Sequence, residues 1–207
     1  MRPYLLPLAC LVLAAPLVAQ NAPGGPPGTA DPARVAAGRY TVDTGHTQIL
    51  WQVDHLGFSK YDGQFGGVTG TLDLDPANLS GARVAVTIPA SGLVTTVDGL
   101  TKHMLTPDFL DPAKYPTASF TSTKVEKTGA ATARITGDLT LLGVTRPVTL
   151  DTRFVGAGPG MDKAKTLNIG FQATGTLKRS EFGMEFGVPM VSDEVDIRIN
   201  AAFVRVG

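Results

Sequence analysis

Residues 137–148 decide the fold class of this chain, and they read GDLTLLGVTRPV. Leu139 and Leu141 lie on one face of an extended first arm, with polar neighbours on the other face. A second arm begins after Gly143, and its apolar and polar residues alternate through Phe154. Two alternating arms joined by a glycine-containing turn are typical of a β-hairpin with one apolar face. The stretch therefore predicts antiparallel strands.

Alternation with a period of two residues recurs along the rest of the chain. It is found over residues 47–55, 66–74, 84–88, 118–125, 135–141, 148–154, 167–173 and 195–203. Such runs, separated by Gly, Pro and Asp, predict about eight half-buried antiparallel strands. Residues 95–110 are the exception and favour a short helix that ends before Pro107. A strand set of this size closes as a barrel or packs as a sandwich, and the pattern leaves both open.

The first residues have the form of a secretory signal peptide. Arg2 supplies positive charge, residues 4–18 are mostly apolar, and Ala19 is a small residue before the expected cleavage point. The apolar run is too short for a comfortable membrane span, and no later segment approaches the ~18 apolar residues that a span needs. We therefore expect residues 1–19 to be removed and the protein to be soluble in the periplasm or secreted. Cys10 leaves one alternative open, a lipoprotein anchor.

The rest of the chain divides into a spacer and one domain. Residues 20–38 are rich in Pro, Gly and Ala, with no large apolar residue except Val35, and they predict a flexible linker. Residues 39–207 are long enough to bury a sizeable core as one folding unit. This unit contains no cysteine, so it cannot be a disulfide scaffold or a thiol enzyme.

The charge balance excludes two classes of partner. Lys and Arg number 18, Asp and Glu also number 18, and the basic residues form no run. Binding to nucleic acid and to a membrane through a polybasic patch both depend on clustered positive charge. We therefore expect no nucleic-acid partner and no stable insertion into a membrane.

Six short motifs follow one another along the chain. They are Tyr40-Thr41-Val42-Asp43 with His46; Trp51 to Phe58; Gly63-Gln64-Phe65; His103 to Asp111 with Tyr115-Pro116 and Phe120; Gly137 to Val148; and Arg179-Ser180-Glu181-Phe182-Gly183. Together they extend over almost the whole of residues 39–207, and in this order they resemble the YceI-like family of exported lipid-binding proteins. Two positions depart from the family's pattern, because Lys102 stands where many members have an acidic residue and Thr47 replaces a serine.

The resemblance implies an all-β, lipocalin-like antiparallel barrel of eight strands with one short helical excursion. It also implies that a long apolar lipid binds non-covalently in the barrel cavity, as a polyisoprenoid, an isoprenoid quinone or a fatty-acid-like amide. It implies neither catalysis nor a cofactor, and it leaves a homodimer open. Resemblance and alternation together predict ligand contacts at inward strand positions and at the rim. The expected residues are Ile49, Trp51, Val53, His55, Phe58, Phe65, His103, Phe109, Phe120, Leu139, Leu141, Phe171, Arg179, Phe182, Met184 and Phe186.

Some polar candidates also have a structural interpretation. The three histidines, His46, His55 and His103, could in principle ligate a metal ion, but their spacing favours hydrogen-bonded structural or rim positions. Asp108 is expected to cap a turn in the 95–110 excursion. Arg179 could face an acidic head group, or it could pair with a carboxylate. Its candidate partners are Glu181, Glu185 and Asp193.

Two other functions compete with the carrier interpretation. A hydrolase or isomerase would need a dyad that forms only in three dimensions, such as His103 with Asp108. An interaction module linked to envelope stress would have a filled core, whereas a long tunnel would favour the carrier. Phe182, Met184 and Phe186 alternate in a Gly-rich segment, which favours a flexible rim where ligand enters.

Overall fold

A computed structural model of the chain describes residues 25–207. The predicted signal peptide (1–19), Cys10 and residues 20–24 of the predicted linker lie outside the described residues. Within the described part, the chain forms eleven β-strands and one α-helix. The strands are β1 (Gly38–Val42), β2 (Gln48–His55), β3 (Ser59–Phe65), β4 (Thr69–Leu74), β5 (Arg83–Pro89), β6 (Leu93–Val94), β7 (Thr117–Lys127), β8 (Thr132–Leu141), β9 (Val144–Pro159), β10 (Leu167–Lys178) and β11 (Glu194–Arg205), and the helix is α1 (Asp98–Met104).

The strands close into a barrel. Around the ring the order is β1, β4, β5, β7, β8, β9, β10 and β11, and β11 pairs back onto β1. Three of these strands are interrupted and continue as a second segment: β2 continues β1, β3 continues β4, and β6 continues β5. Strand β2 also pairs with β11, and β3 pairs with both β2 and β6. Within the described residues the barrel therefore consists of eight antiparallel strands, three of which are interrupted. The predicted fold class is confirmed.

The interruptions lie where the backbone leaves extended geometry. Between β1 and β2, the Thr47 hydroxyl donates to the Ala202 carbonyl (3.2 Å) and accepts from the Ala202 N–H (3.1 Å), which ties the break to β11. Between β3 and β4, Gly67 has a φ of +72°, which favours glycine. The strand predicted over 66–74 therefore begins at Thr69. Strand Ser59–Phe65 was not predicted, because Gly63 interrupts its alternation.

The hairpin that indicated the fold joins β8 to β9. Leu141 pairs with Val144, and the two residues between them, Leu142 and Gly143, have φ values of +53° and +74°. Positive φ at both central positions defines a type I′ turn, whose twist matches that of the flanking strands. Inside β8, Gly137 has no side chain where a Cβ would collide with the Phe120 ring.

The two ends of the barrel differ in how they are filled. At the lower end, which carries the β4–β5, β7–β8 and β9–β10 connections, a packed core closes the interior. Its buried members are Tyr40, Leu72, Ala157, Ile169 and Phe203. A second cluster fills the middle, with Phe120, Val148, Leu150, Ala173 and Phe182. The upper end carries the β2–β3 and β8–β9 turns, and the chain segments 95–116 and 179–193 cross it. Helix α1 belongs to the first of these segments, where a helix was predicted.

The segment before β1 lies against the lower half of the barrel. Thr29 and Ala157 of β9 exchange two backbone hydrogen bonds of 3.0 and 2.9 Å, and Val35 packs on the lower core. A Cβ on Gly158 would collide with the Pro27 carbonyl, so glycine allows this close approach. Residues 20–38 are predicted to be a flexible linker, and in the part that the structure describes this segment contacts β9 at Thr29 and the lower core at Val35.

No helix within residues 25–207 has the length and apolar character to cross a membrane.

Candidate functional site

The upper end of the barrel encloses a cavity of about 440 Å³. Strands β2, β3, β5, β7, β8, β10 and β11 supply its walls, and the 95–116 and 179–193 segments cover it. Its lining residues are Ile49, Trp51, Val53, His55, Tyr61, Phe65, Ile88, Ala90, Leu100, His103, Met104, Phe109, Leu110, Tyr115, Thr117, Ala118, Leu139, Leu141, Leu142, Leu177, Arg179, Met184, Phe186, Gly187, Val191, Val195 and Ile197. Most of these side chains are apolar. Such a concave, apolar enclosure has the size and character of a small-molecule site.

Strand β2 forms one wall because its residues alternate between the two faces of the sheet. Ile49, Trp51, Val53 and His55 all line the cavity, as the sequence predicts. The Trp51 indole lies over Gly63 of β3, its cross-strand partner, and a Cβ at that glycine would come within 2.5 Å of the indole Cε2. The absence of a side chain at Gly63 therefore lets the indole lie flat against β3.

Replacing Gly63 by alanine is expected to push the Trp51 ring toward the cavity and to lower the free energy of unfolding by about 1–3 kcal/mol, because the core becomes overpacked. Chemical denaturation measures the loss, and the emission of Trp51, the only tryptophan in the chain, reports the ring's new surroundings. Gly66→Ala is the matched control, because a Cβ there meets nothing within 4 Å. Equal stability of the two variants would contradict this role of Gly63.

Three aromatic rings meet at the mouth of the cavity. The His103 ring of α1 packs edge-on against Phe109 and Phe186, with centroids 5.1 Å apart in both pairs, and Phe109 and Phe186 lie 5.2 Å apart. His103 Nε2 is 2.9 Å from Asp108 Oδ2. The sequence predicts that Asp108 caps a turn, whereas its side chain bonds to the His103 ring within the same 95–110 excursion. Phe186 remains half exposed, so the mouth is closed by a single layer of side chains.

Arg179 holds the segment that covers the cavity. Its guanidinium is buried and donates to four backbone carbonyls: Ser192 (2.9 Å), Met184 (3.2 Å), Phe186 (2.7 Å) and Val191 (3.0 Å). The sequence predicts a head-group contact or a carboxylate partner, whereas these N–H groups bind the chain itself. The 184–192 segment is therefore wrapped around one buried cation.

Asp193 lies beside this cation without sharing a hydrogen bond with it. Burial lowers the pKa of the Arg179 guanidinium, and the negative charge of Asp193 partly offsets that effect. The Asp193 carboxylate accepts from the Ser180 N–H (2.8 Å) and hydroxyl (2.7 Å), and these two bonds hold its pKa below the usual range. A lowered pKa keeps the Asp193 carboxylate ionised at neutral pH, and an arginine side chain keeps its proton in proteins.

The structure brings most of the predicted ligand-binding residues together around the cavity. Those that line it are Ile49, Trp51, Val53, His55, Phe65, His103, Phe109, Leu139, Leu141, Arg179, Met184 and Phe186. Phe120 and Phe182 lie lower, in the middle cluster, and Phe171 packs on the lower core. Phe58 is 89% exposed at the β2–β3 turn. Alternation separates inward from outward positions, but it carries no information about height along the barrel axis.

The three residues predicted to form a flexible rim also differ in where they lie. Phe182 is buried in the core and Met184 is buried in the cavity wall, so Phe186 is the one of these three residues that stands at the mouth. Other lining residues were not predicted. Ile88, Val195 and Ile197 lie in strands whose apolar and polar residues alternate, so the same two-residue period could have identified them. The contacts from the covering segments, such as Leu100, Tyr115 and Val191, have no periodic signal.

The histidines do not form a shared site. His46 bonds to Asp43 (2.8 Å) on the exposed break after β1, His55 lies at the top of β2, and His103 bonds to Asp108. Within residues 25–207, no group of three or more His, Cys, Asp and Glu side chains is placed to hold a metal ion.

A closed antiparallel β-barrel with an apolar cavity at one end is the architecture of lipocalin-like ligand-binding proteins. The family model that describes the YceI-like domain matches residues 40–203. The chain belongs to the YceI-like family.

Similar proteins support the same assignment. Protein YceI of Escherichia coli O6:H1 is 39% identical over 160 residues, which cover 77% of this chain and 82% of that protein. The crystal structure of the Campylobacter jejuni YceI protein is 29% identical, with a TM-score of 0.64 and coverage of 74% of this chain and 90% of that one. A polyisoprenoid-binding domain from Saccharophagus degradans shares the fold at 14% identity, with a TM-score of 0.59 and coverage of 81% and 98%.

Proposed function

We propose that this protein is an exported carrier that binds one long apolar lipid, a polyisoprenoid or an isoprenoid quinone, non-covalently in the upper cavity. The observation that carries the proposal is the apolar cavity of about 440 Å³, closed over by three aromatic rings. The name of the Saccharophagus degradans domain, a polyisoprenoid-binding protein of the same fold, supports this ligand class.

The energetics of the cavity suit such a ligand. Each CH₂ group removed from water contributes about 0.8 kcal/mol, so a hydrocarbon chain gains affinity without needing polar partners. Much of this gain is offset by the lost motion of the ligand and of the side chains around it. An apolar cavity of this kind does not retain water well, because water needs two to four polar partners. A lipid therefore fills the space better than solvent does.

The polar side chains of the lining differ in whether they are bound. His103 pairs with Asp108 and Arg179 donates to backbone carbonyls, whereas the buried Trp51 indole N–H has no hydrogen-bond partner among residues 25–207. Because His55 and His103 stand toward the mouth, we expect the ligand's head there and its tail among the apolar strand residues. The signal peptide predicted from the sequence over residues 1–19 supports export to the periplasm or the exterior, where a lipid needs an apolar sheath to cross water.

A hydrolase or isomerase would use the His103–Asp108 pair as its dyad, and this pair is formed. In residues 25–207, however, no hydrogen bond joins the His103 ring to a hydroxyl group that could act as nucleophile. The ring packs against two phenylalanines, which suits a closing element of the mouth. An interaction module with a filled core is disfavoured by the cavity itself.

The experiment that tests the proposal is native mass spectrometry of the protein purified, without detergent, from the host that exports it. We expect a stoichiometric adduct, and solvent extraction followed by mass spectrometry is expected to identify it as prenyl or acyl lipid. An apo mass, with no uptake of added isoprenoid quinone, would reject the carrier function.

A further inference from the structure

Two loops at the upper end expose large apolar side chains. The β2–β3 turn presents Leu56 (41% exposed) and Phe58 (89%), and the loop before β11 presents Phe186 (50%) and Met190 (63%). The loops are tied together, because the Leu56 N–H donates to the Met190 carbonyl over 2.8 Å. These four side chains therefore belong to one surface, the apolar rim patch.

The apolar rim patch is continuous with the cavity. His55, Phe186, Gly187 and Val191 line the cavity and stand in or beside the same two loops, and His55 forms a β-bridge with Val191. Phe186 contributes to both surfaces, because it lines the cavity and is also half exposed. A molecule that leaves through the mouth at Phe186 thus meets apolar side chains outside as well.

Charged side chains of both signs stand in and beside the two loops, and Lys102 of α1, next to His103, is exposed near Phe186. Asp54 pairs with Lys60 across the β2–β3 hairpin (3.2 Å), and Asp193 accepts from Ser180. Glu181 and Glu185 of the 179–193 segment are both exposed and add negative charge. Because the two loops carry no excess of positive charge, attraction to the patch must come from apolar burial.

The size and shape of the patch favour a fluid surface over a protein partner. The exposed parts of the four side chains equal about two and a half whole side chains, or roughly 500 Å² at ~200 Å² for each large side chain. A stable protein interface needs about 800 Å² on each partner. Shallow insertion at the boundary between lipid headgroups and acyl chains needs no matching surface. Exposed apolar side chains at turns are therefore suited to it.

We propose that the apolar rim patch docks on a lipid bilayer, so that the ligand passes between membrane and cavity along an apolar path. This proposal rests on the carrier function. It gives Phe58, which does not line the cavity, a role as a membrane anchor. Docking is shallow and reversible, and it depends on burial of apolar side chains, so it takes place on uncharged lipid.

Flotation with empty phosphatidylcholine vesicles tests docking without any ligand. We expect the full chain to float with the vesicles and the double variant Phe58→Ser, Met190→Ser to bind at least about tenfold less, because two large apolar groups are removed. Phe58→Ser alone is expected to show a smaller loss. Met161→Ser is the matched control, since Met161 is 85% exposed in the β9–β10 turn at the lower end. All these proteins share one N-terminus, so its contribution cancels.

Equal flotation of wild type and double variant would overturn the docking proposal. So would binding that appears only with anionic phosphatidylglycerol and disappears in high salt, because that would indicate electrostatic attachment. Binding that is independent of lipid charge and is lost with Phe58 and Met190 would support it.

Loading of a long-tailed ubiquinone separates failure of docking from failure of the carrier function. Supplied from phosphatidylcholine vesicles, the quinone is expected to quench Trp51 quickly in wild type and at least about tenfold more slowly in the double variant. A short-tailed ubiquinone supplied in solution is expected to quench both proteins alike, since Phe58 and Met190 lie outside the cavity. Equal loading from vesicles would overturn docking and leave the carrier intact. Absence of quenching in every arm would instead reject the carrier function.

Discussion

Replacing Arg179 by methionine is expected to lower the free energy of unfolding by about 3–5 kcal/mol. The buried guanidinium donates to four backbone carbonyls of the covering segment, and methionine donates to none. A hydrogen bond to a charged group contributes about 1.5–3 kcal/mol, and a buried carbonyl left without a donor costs about 1–3 kcal/mol. Water will reach part of the loosened segment, so the loss is smaller than the full sum.

Two further substitutions separate the geometry of Arg179 from its charge. Arg179→Lys keeps the charge but lacks the planar fork that reaches several carbonyls at once, so we expect an intermediate loss. Arg153→Met removes an exposed arginine whose contacts are two bonds to the Gln172 side chain, and we expect a change below about 1 kcal/mol. Denaturant titrations monitored by circular dichroism measure all three. A methionine variant as stable as Arg153→Met would show that the covering segment does not depend on the guanidinium.

The antiparallel strands could be predicted from the sequence because the two faces of a half-buried strand differ in polarity, so apolar residues recur every second position. Ile49, Trp51 and Val53 face the cavity as the alternation requires, and Gly143 supplies the turn that the hairpin needs. Closure of the ring does not follow from this local pattern. It depends on β11 pairing with β1, at residues far apart in the chain, and only the family resemblance favoured a barrel over a sandwich.

The covering segments could not be predicted to the same depth. Arg179 is the first residue of a 3-10 turn, and its partners are backbone carbonyls, which any residue type provides. Sequence reasoning therefore sought a carboxylate for the guanidinium, because charges are visible in a sequence and carbonyl directions are not. Phe182 and Phe186 share a parity, yet one enters the core and the other stands at the mouth. A turn between them breaks the strand geometry on which parity depends.

Replacing Ala118 by phenylalanine is expected to weaken lipid binding about 100-fold while leaving the fold intact. Ala118 lies in β7, faces the cavity and stands two residues from Phe120 of the middle cluster. A phenyl ring at this position occupies space that the ligand's tail would fill. Displacing about four CH₂ groups removes roughly 3 kcal/mol of binding free energy, which corresponds to about two powers of ten in affinity.

The stability of the same variant should change in the opposite direction, and this contrast makes the test decisive. Filling part of an apolar cavity restores contacts that the lining side chains lack, so the free energy of unfolding should stay constant or rise by about 1 kcal/mol. Equilibrium dialysis against a ubiquinone with two isoprene units measures affinity, and denaturant titration measures stability. Ala85→Phe, on the exposed face of the neighbouring strand β5, should match wild type in both. If folded Ala118→Phe binds as tightly as wild type, the tail does not lie in the upper cavity, because a ring and a chain cannot share that space.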